Sequence, residues 1–181
     1  MVAGMLAHPV ALLIGLVVVS VSNLMLYSLA PRATAIAPLR LAGGYAGAIL
    51  ACAAVSAAAI YVSPEDSRTV FHVPVEQYWN VLLREFLAVF VILCYATVVG
   101  IALVGAPVAF VLNARRRASV SWMVAASLAI SALAATLFAM AFPSSISSFL
   151  TAAYVAGLHL VLTLGFCLGA RIPWRADAPS A

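Results

Sequence analysis

The sequence predicts an all-α integral membrane protein, a bundle of five transmembrane helices, and three observations carry this prediction. Of the 181 residues, 66% are hydrophobic and only 8% are charged, against about 25% charged residues in an ordinary soluble domain. The apolar residues are gathered in long runs separated by short polar connections. Arginines concentrate in alternate connections, as in the cytoplasmic loops of membrane proteins. A soluble globular domain is therefore excluded.

Each run is long enough to cross the ~30 Å hydrocarbon core as a helix. We expect one bundle over residues 1–175, with an outer loop at 63–79 and a disordered cytoplasmic tail at 176–181. The first run is interpreted as a span because it is longer than the ~7–15 apolar residues of a signal peptide. A four-span arrangement is the alternative. The predicted spans are residues 9–29, 41–62, 80–112, 122–142 and 148–170.

The third run is longer than a membrane requires. If it is helical from Pro74 to Leu112, its length is about 58 Å at 1.5 Å per residue. Tilt, an interfacial first stretch or a bend must absorb the excess. Pro107, two residues after Gly105, predicts a bend near the far end.

Two spans carry small residues at spacings of three and four, which is typical of faces where helix backbones approach closely. We expect these faces to pack inside the bundle, and a homo-oligomer through them is the alternative. They consist of Gly43, Gly47, Ala51, Ala54 and Ala58 in the second span, and Ala153, Gly157, Val161, Gly165 and Gly169 in the fifth.

Orientation follows from the positions of the arginines, because basic loops stay in the cytoplasm. The connections after the first and third spans and the tail are basic, whereas the loop at 63–79 is acidic. These counts predict an outside N-terminus and a cytoplasmic C-terminus. All nine basic residues are arginine, and with the high alanine content this favours a bacterial inner membrane protein. The strongest anchors are Arg115, Arg116 and Arg117.

The outer loop and the start of the third span hold every acidic residue except Asp177. Their spacing matches neither HExxH nor an aspartyl motif, so no catalytic residue and no metal site is predicted. We expect a solvated interfacial segment or a surface that recognises a protein partner. The candidate residues for this outer surface are Glu65, Asp66, Arg68, His72, Glu76, Arg84 and Glu85.

His159 lies near the middle of the fifth span, close to the bilayer centre. A haem between two histidines is rejected because His8 is at a span end and His72 is in the loop. Counting 1.5 Å per residue along each span predicts a buried polar layer at this depth, with a neutral imidazole bonded to a neighbouring hydroxyl. A proton or ion step is the alternative. The predicted layer consists of His159, Ser20, Thr97 and Ser131.

These observations favour a non-enzymatic inner-membrane protein that binds a membrane or periplasmic protein, as an immunity protein or as an accessory subunit of a complex. Size and span count are similar to those of immunity proteins against pore-forming bacteriocins, although no motif is shared. A small channel or a transporter subunit, with a path past His159, is the second hypothesis, and a membrane enzyme is the third. No cofactor is expected. Nucleic acid is not implied, because the net charge of +4 reflects orientation.

Overall fold

The computed structural model describes residues 9–30, 35–62, 75–141 and 147–174, and in these residues every regular element is helical. The prediction of an all-helical chain is confirmed for them. The elements are α1 (Pro9–Leu29), α2 (Pro38–Val62), α3 (Val75–Gly100), a π-helical turn (Ile101–Gly105), α4 (Ala106–Ala114), α5 (Val120–Ala141) and α6 (Ser147–Gly169).

Three of the described helical stretches are long and apolar enough to cross a membrane. Large apolar side chains point outward, for example Leu24 of α1, which is 70% exposed. Such a surface is the opposite of a soluble protein's and fits contact with lipid. The predicted membrane class is therefore supported by length, composition and exposure. The three stretches are Val10–Leu29, Pro38–Ala59 and Trp79–Ala114, and two shorter apolar ones are Val120–Thr136 and Ala153–Gly169.

The first helix begins at Pro9 as predicted, whereas the other observed spans begin slightly earlier than predicted. α2 starts at Pro38 and not at residue 41, because proline in the first turn sacrifices no hydrogen bond. α3 starts at Val75, directly after Pro74, so the last residues of the predicted outer loop are helical. The rest of that loop, 63–74, and the predicted tail lie outside the described residues.

The elements α3, π turn and α4 form one continuous helix, called here the long helix. Gly100, Gly105 and Ala106 at its two junctions all have α-helical φ and ψ. Within the turn, the N–H of Ala106 donates to the carbonyl of Ile101, five residues back, which is the spacing of a π-helix. The irregularity predicted near Pro107 is therefore a π-helical turn that ends just before the proline.

The core lies at one end of the bundle. Tyr27 donates a 2.9 Å hydrogen bond to the carbonyl of Ile36 and packs edge-on against Phe110, with ring centroids 5.3 Å apart. The N–H of Val120 donates to the carbonyl of Pro173 at 2.9 Å. The end of α1, the start of α2, the end of α4, the start of α5 and the segment after α6 therefore meet at this end, which we call the arginine end.

The predicted anchors, residues 115–117, are exposed at the arginine end. Arg116 has the left-handed φ of 55°, and the next N–H, of Arg117, returns to the carbonyl of Leu112 at 2.8 Å. This is the bond that closes a helix in a Schellman motif, where glycine is the usual residue. Arg171, with φ 54°, ends α6 in the same way. The guanidinium of Arg117 lies 5.3 Å from the ring centre of Trp122, a cation–π distance.

The backbones of α2 and α6 approach each other closely. Gly43 and Gly47 of α2 lie against Gly169 and Gly165 of α6, and a Cβ on any of these glycines would meet a backbone carbonyl of the other helix. The two predicted small-residue faces therefore pack on each other in the half of the bundle near the arginine end. In the other half they face outward, where Ala54, Ala58, Ala153 and Gly157 are exposed.

Candidate functional site

A cavity of about 250 Å³ lies between the long helix, α5 and α6. It opens on the surface of the bundle, because Ala96, Gly100 and Val104 of its wall are exposed. Most of the wall is apolar, and its described part contains no Asp, Glu, Lys or Arg. Its polar members are Thr97, Ser127, His159 and Thr163.

His159 is held by a hydrogen bond to α5. Its Nδ1 lies 2.8 Å from the hydroxyl oxygen of Ser131, and Ser131 is only 3% exposed. The serine hydroxyl has no other hydrogen-bond partner among the described residues. The arrangement that leaves no buried proton unpaired has Ser131 donating to Nδ1.

This arrangement fixes the state of the second ring nitrogen. With Nδ1 accepting, a neutral imidazole carries its proton on Nε2. Nε2 has no hydrogen-bond partner in the described part of the chain, and no buried side-chain nitrogen or oxygen there is unpaired. His159 lines the cavity, and because Nε2 is neither buried nor paired with a described residue, its N–H group is available to donate.

A second polar pair lies one helical turn away on both helices. Thr163 of α6 donates a 2.9 Å hydrogen bond to the hydroxyl of Ser127 on α5. Ser127 precedes Ser131 by four residues and Thr163 follows His159 by four, so each pair shares a helix face. The hydroxyl proton of Ser127 has no acceptor within the described residues. Sequence reasoning missed this pair, although the four-residue spacing was the available signal.

Thr97 lies on the opposite wall of the cavity. Its hydroxyl oxygen is 3.2 Å from Cys52 Sγ on α2, and both residues are buried. Ser56 adds a 2.8 Å hydrogen bond to the carbonyl of Cys52. Thr97 thus binds α2 to the long helix as well as lining the cavity.

The structure therefore brings together part of the predicted polar layer. Ser131 and His159 are in direct contact, and Thr97 lines the same cavity as His159. Ser20 lies elsewhere, because it is exposed on α1 and does not line the cavity. The α1 hydroxyl that bonds the long helix is that of Ser22, two residues further along.

The predicted outer surface is described only on the long helix. Arg84 and Glu85 are exposed there, and neither has an ion pair with another described residue. Glu76 lies on α3 near its start. The other four predicted residues, Glu65, Asp66, Arg68 and His72, lie outside the described residues.

The start of the long helix extends beyond the described ends of α1 and α2. Thr97 contacts Cys52, and α2 ends ten residues past Cys52 at Val62, level with about residue 87 of the long helix (97 − 10). Ser22 contacts Ala102; α1 begins thirteen residues before Ser22, level with about residue 89 (102 − 13). Residues 75–86, called here the projecting segment, therefore extend about 18 Å past both ends at 1.5 Å per residue.

The described residues contain no group of three or more His, Cys, Asp or Glu side chains that could hold a metal ion. The three cysteines are free thiols. No protein-family model matches the chain, and no curated protein or solved structure matches it. The cavity and the projecting segment are therefore the two structural features that bear on function.

Proposed function

We propose that this chain is a non-enzymatic inner-membrane protein. It binds another protein at the periplasmic face of that membrane, through the projecting segment of its long helix. The observation that carries the proposal is the reach of that segment, about 18 Å past the ends of α1 and α2. A helix that only anchors a bundle has no need of this length, because about 20 residues cross the hydrocarbon core.

The side chains of the projecting segment suit a protein partner. Trp79 is 71% exposed and Leu83 is 56% exposed, and a spacing of four residues puts them on one helix face. Arg84 and Glu85 are exposed beside them. Aromatic residues and arginine are enriched in protein interfaces, and two charges that form no ion pair with any described residue offer contacts of either sign.

The proposal includes the orientation that the arginines predict. In a five-span bundle the arginine end faces the cytoplasm and the projecting segment faces the periplasm of a bacterial inner membrane. Three described helical stretches are long and apolar enough to span a membrane, and in this proposal α5 and α6 supply the other two spans. The test is labelling of single cysteines by a membrane-impermeant reagent. We expect Glu65→Cys to react in intact cells and Arg116→Cys to react only after lysis; reaction of both from one side would contradict the five-span topology.

Site-specific photo-cross-linking tests the partner surface, and the long helix offers a matched control. Leu83 on the projecting segment and Leu103 in the π turn are similarly exposed, 56% and 54%. We expect a cross-linker at Leu83 to capture one stoichiometric protein partner and the same group at Leu103 to capture lipid. Trp79→Ala should reduce the capture by about thirtyfold, since interface tryptophans contribute about 2 kcal/mol or more. Equal capture at both leucines, or capture that Trp79→Ala leaves unchanged, would contradict the proposal.

The second hypothesis, a channel or transporter subunit with a path past His159, has one supporting observation. The cavity holds two polar pairs between α5 and α6. It opens sideways through Ala96, Gly100 and Val104, however, and ion pathways usually carry ionisable side chains, which its described wall lacks. This geometry favours a lateral binding site over a conducting path.

A further inference from the structure

We propose that the cavity between the long helix, α5 and α6 is a binding site for an uncharged, lipid-soluble carbonyl compound of the isoprenoid quinone class. The ligand enters from the bilayer, and its carbonyl oxygen accepts a hydrogen bond from Nε2–H of His159. This site is separate from the projecting segment; it rests on the five-span arrangement proposed above, but not on the protein-binding function.

The chemistry of the wall selects a hydrogen-bond acceptor. The Nε2–H of His159 and the hydroxyl proton of Ser127 are both without acceptors in the described part of the protein. Each is a donor in otherwise apolar surroundings, where an unmade hydrogen bond costs more than in water. A ligand that brings an acceptor to them relieves that cost, whereas a purely hydrocarbon ligand does not.

If α6 crosses the membrane, the depth of His159 argues against a charged lipid head group beside it. His159 lies twelve residues after the start of α6 and ten before its end, or about 18 and 15 Å from the two ends at 1.5 Å per residue. A phosphate or carboxylate head at this depth would lose its hydration with no cationic side chain to pair with. A quinone head carries its carbonyl oxygens without charge and is soluble in the hydrocarbon layer.

Size and shape exclude a partner helix inside the cavity. Ten residues of helix occupy roughly 1,200 Å³, as a cylinder about 10 Å wide and 15 Å long, whereas the cavity holds about 250 Å³. That volume is close to the lower end of small-molecule sites, ~300–1,000 Å³. The cavity wall extends along the long helix from Leu93 to Val108, about 22 Å, which leaves room for an apolar tail beside the head.

Two glycines provide a blocking variant and its control. A Cβ on Gly100 or on Gly157 would have no neighbour within 4 Å, so leucine fits at either position, and it is a better helix former than glycine. Gly100 lines the cavity and Gly157 does not. Gly100→Leu therefore fills the cavity mouth, while Gly157→Leu makes the same substitution elsewhere on the surface.

The test is calorimetric titration of decyl-benzoquinone into phosphatidylcholine nanodiscs that contain the full chain, with empty nanodiscs as the blank. We expect saturable binding to the native protein, at least about tenfold weaker binding to Gly100→Leu, and unchanged binding to Gly157→Leu. His159→Leu should weaken binding about five- to tenfold, as for the loss of one hydrogen bond. His159→Gln, which keeps a donor near Nε2, should recover part of the affinity.

Competition identifies the ligand class. Dodecanoic acid and dodecane should not displace decyl-benzoquinone at concentrations where a second benzoquinone does. Displacement by dodecanoic acid would overturn the assignment in favour of a fatty acid. Equal affinities of the native protein, Gly100→Leu and His159→Leu, or no saturable heat above the blank, would mean that the cavity holds only lipid tails or water.

Discussion

The hydroxyl of Ser22 donates a 2.6 Å hydrogen bond to the carbonyl oxygen of Ala102, and this bond joins α1 to the π-helical turn. In a regular α-helix that carbonyl would accept from the N–H of Ala106, but this N–H donates to Ile101. The next residue, Pro107, has no N–H. α1 therefore supplies the donor that the long helix cannot.

Ser22→Ala should lower the free energy of unfolding by about 1–2 kcal/mol, because it leaves a carbonyl in a fully buried residue without a partner. The measurement is reversible unfolding in mixed detergent and SDS micelles. Ser28→Ala is the matched control, since Ser28 is exposed and its hydroxyl bonds only the carbonyl of Met25 in its own helix. An equal loss of unfolding free energy in both variants would show that the hydrogen bond from Ser22 to Ala102 does not stabilise the fold.

Pro107→Ala should make the free energy of unfolding less sensitive to the loss of the Ser22 hydroxyl. The new N–H at residue 107 lets the π turn relax towards an α-helix, in which Ala106 can bond Ala102. The loss caused by Ser22→Ala should then fall by about half, a coupling of about 0.5–1 kcal/mol in a double-mutant cycle. Strict additivity of the two substitutions would contradict the link between the proline and the serine.

Gly47→Ala should destabilise the bundle by about 1–3 kcal/mol, the usual cost of overpacking, because its Cβ would meet the backbone of Gly165. Gly157→Ala should be neutral or should stabilise by up to about 1 kcal/mol, since its Cβ has open space and alanine is the better helix former. The same micelle titration measures both. A neutral Gly47→Ala would mean that α2 and α6 separate easily.

Arg116→Gly should raise the free energy of unfolding by about 1 kcal/mol, because the left-handed conformation strains every residue with a Cβ. Arg115→Gly is the comparison: Arg115 has φ −85°, so glycine adds only chain entropy and should cost about 0.5–1 kcal/mol. Both variants lose one positive charge, so charge alone predicts no difference between them. If Arg116→Gly and Arg115→Gly have the same free energy of unfolding, the left-handed strain at Arg116 is negligible.

Periodicity and composition made the helices predictable, but not their rotations. Ser20 and Ser22 differ by about 200° around α1 at 3.6 residues per turn, and no apolar stripe on this span marks which side faces protein, because lipid is as apolar as the core. The pair Ser131 and His159 followed from depth alone. The projecting segment was foreseen as an excess of length, whereas its position beyond α1 and α2 needed the contacts of Cys52 and Ser22.

The two small-residue faces also were predictable in part: their positions could be read from the sequence, but their contact with each other could not. Each was visible as a spacing of small residues, and their pairing with each other was not, since spacing says nothing about the partner. The π turn was anticipated only as a bend at Pro107. Its wider hydrogen bonding depends on the serine that α1 brings to Ala102, a contact between residues eighty positions apart.

The contact of Gly47 with Gly165 also sets an order of events during biosynthesis. The two residues are 118 positions apart (165 − 47). At a synthesis rate of about 5–20 residues per second, the part of α6 that packs on α2 is therefore made roughly 6–24 s after Gly47. During that interval the small-residue face of α2 is accessible to other membrane helices. A chain that is truncated before α6 therefore leaves the glycine face of α2 without the helix that covers it.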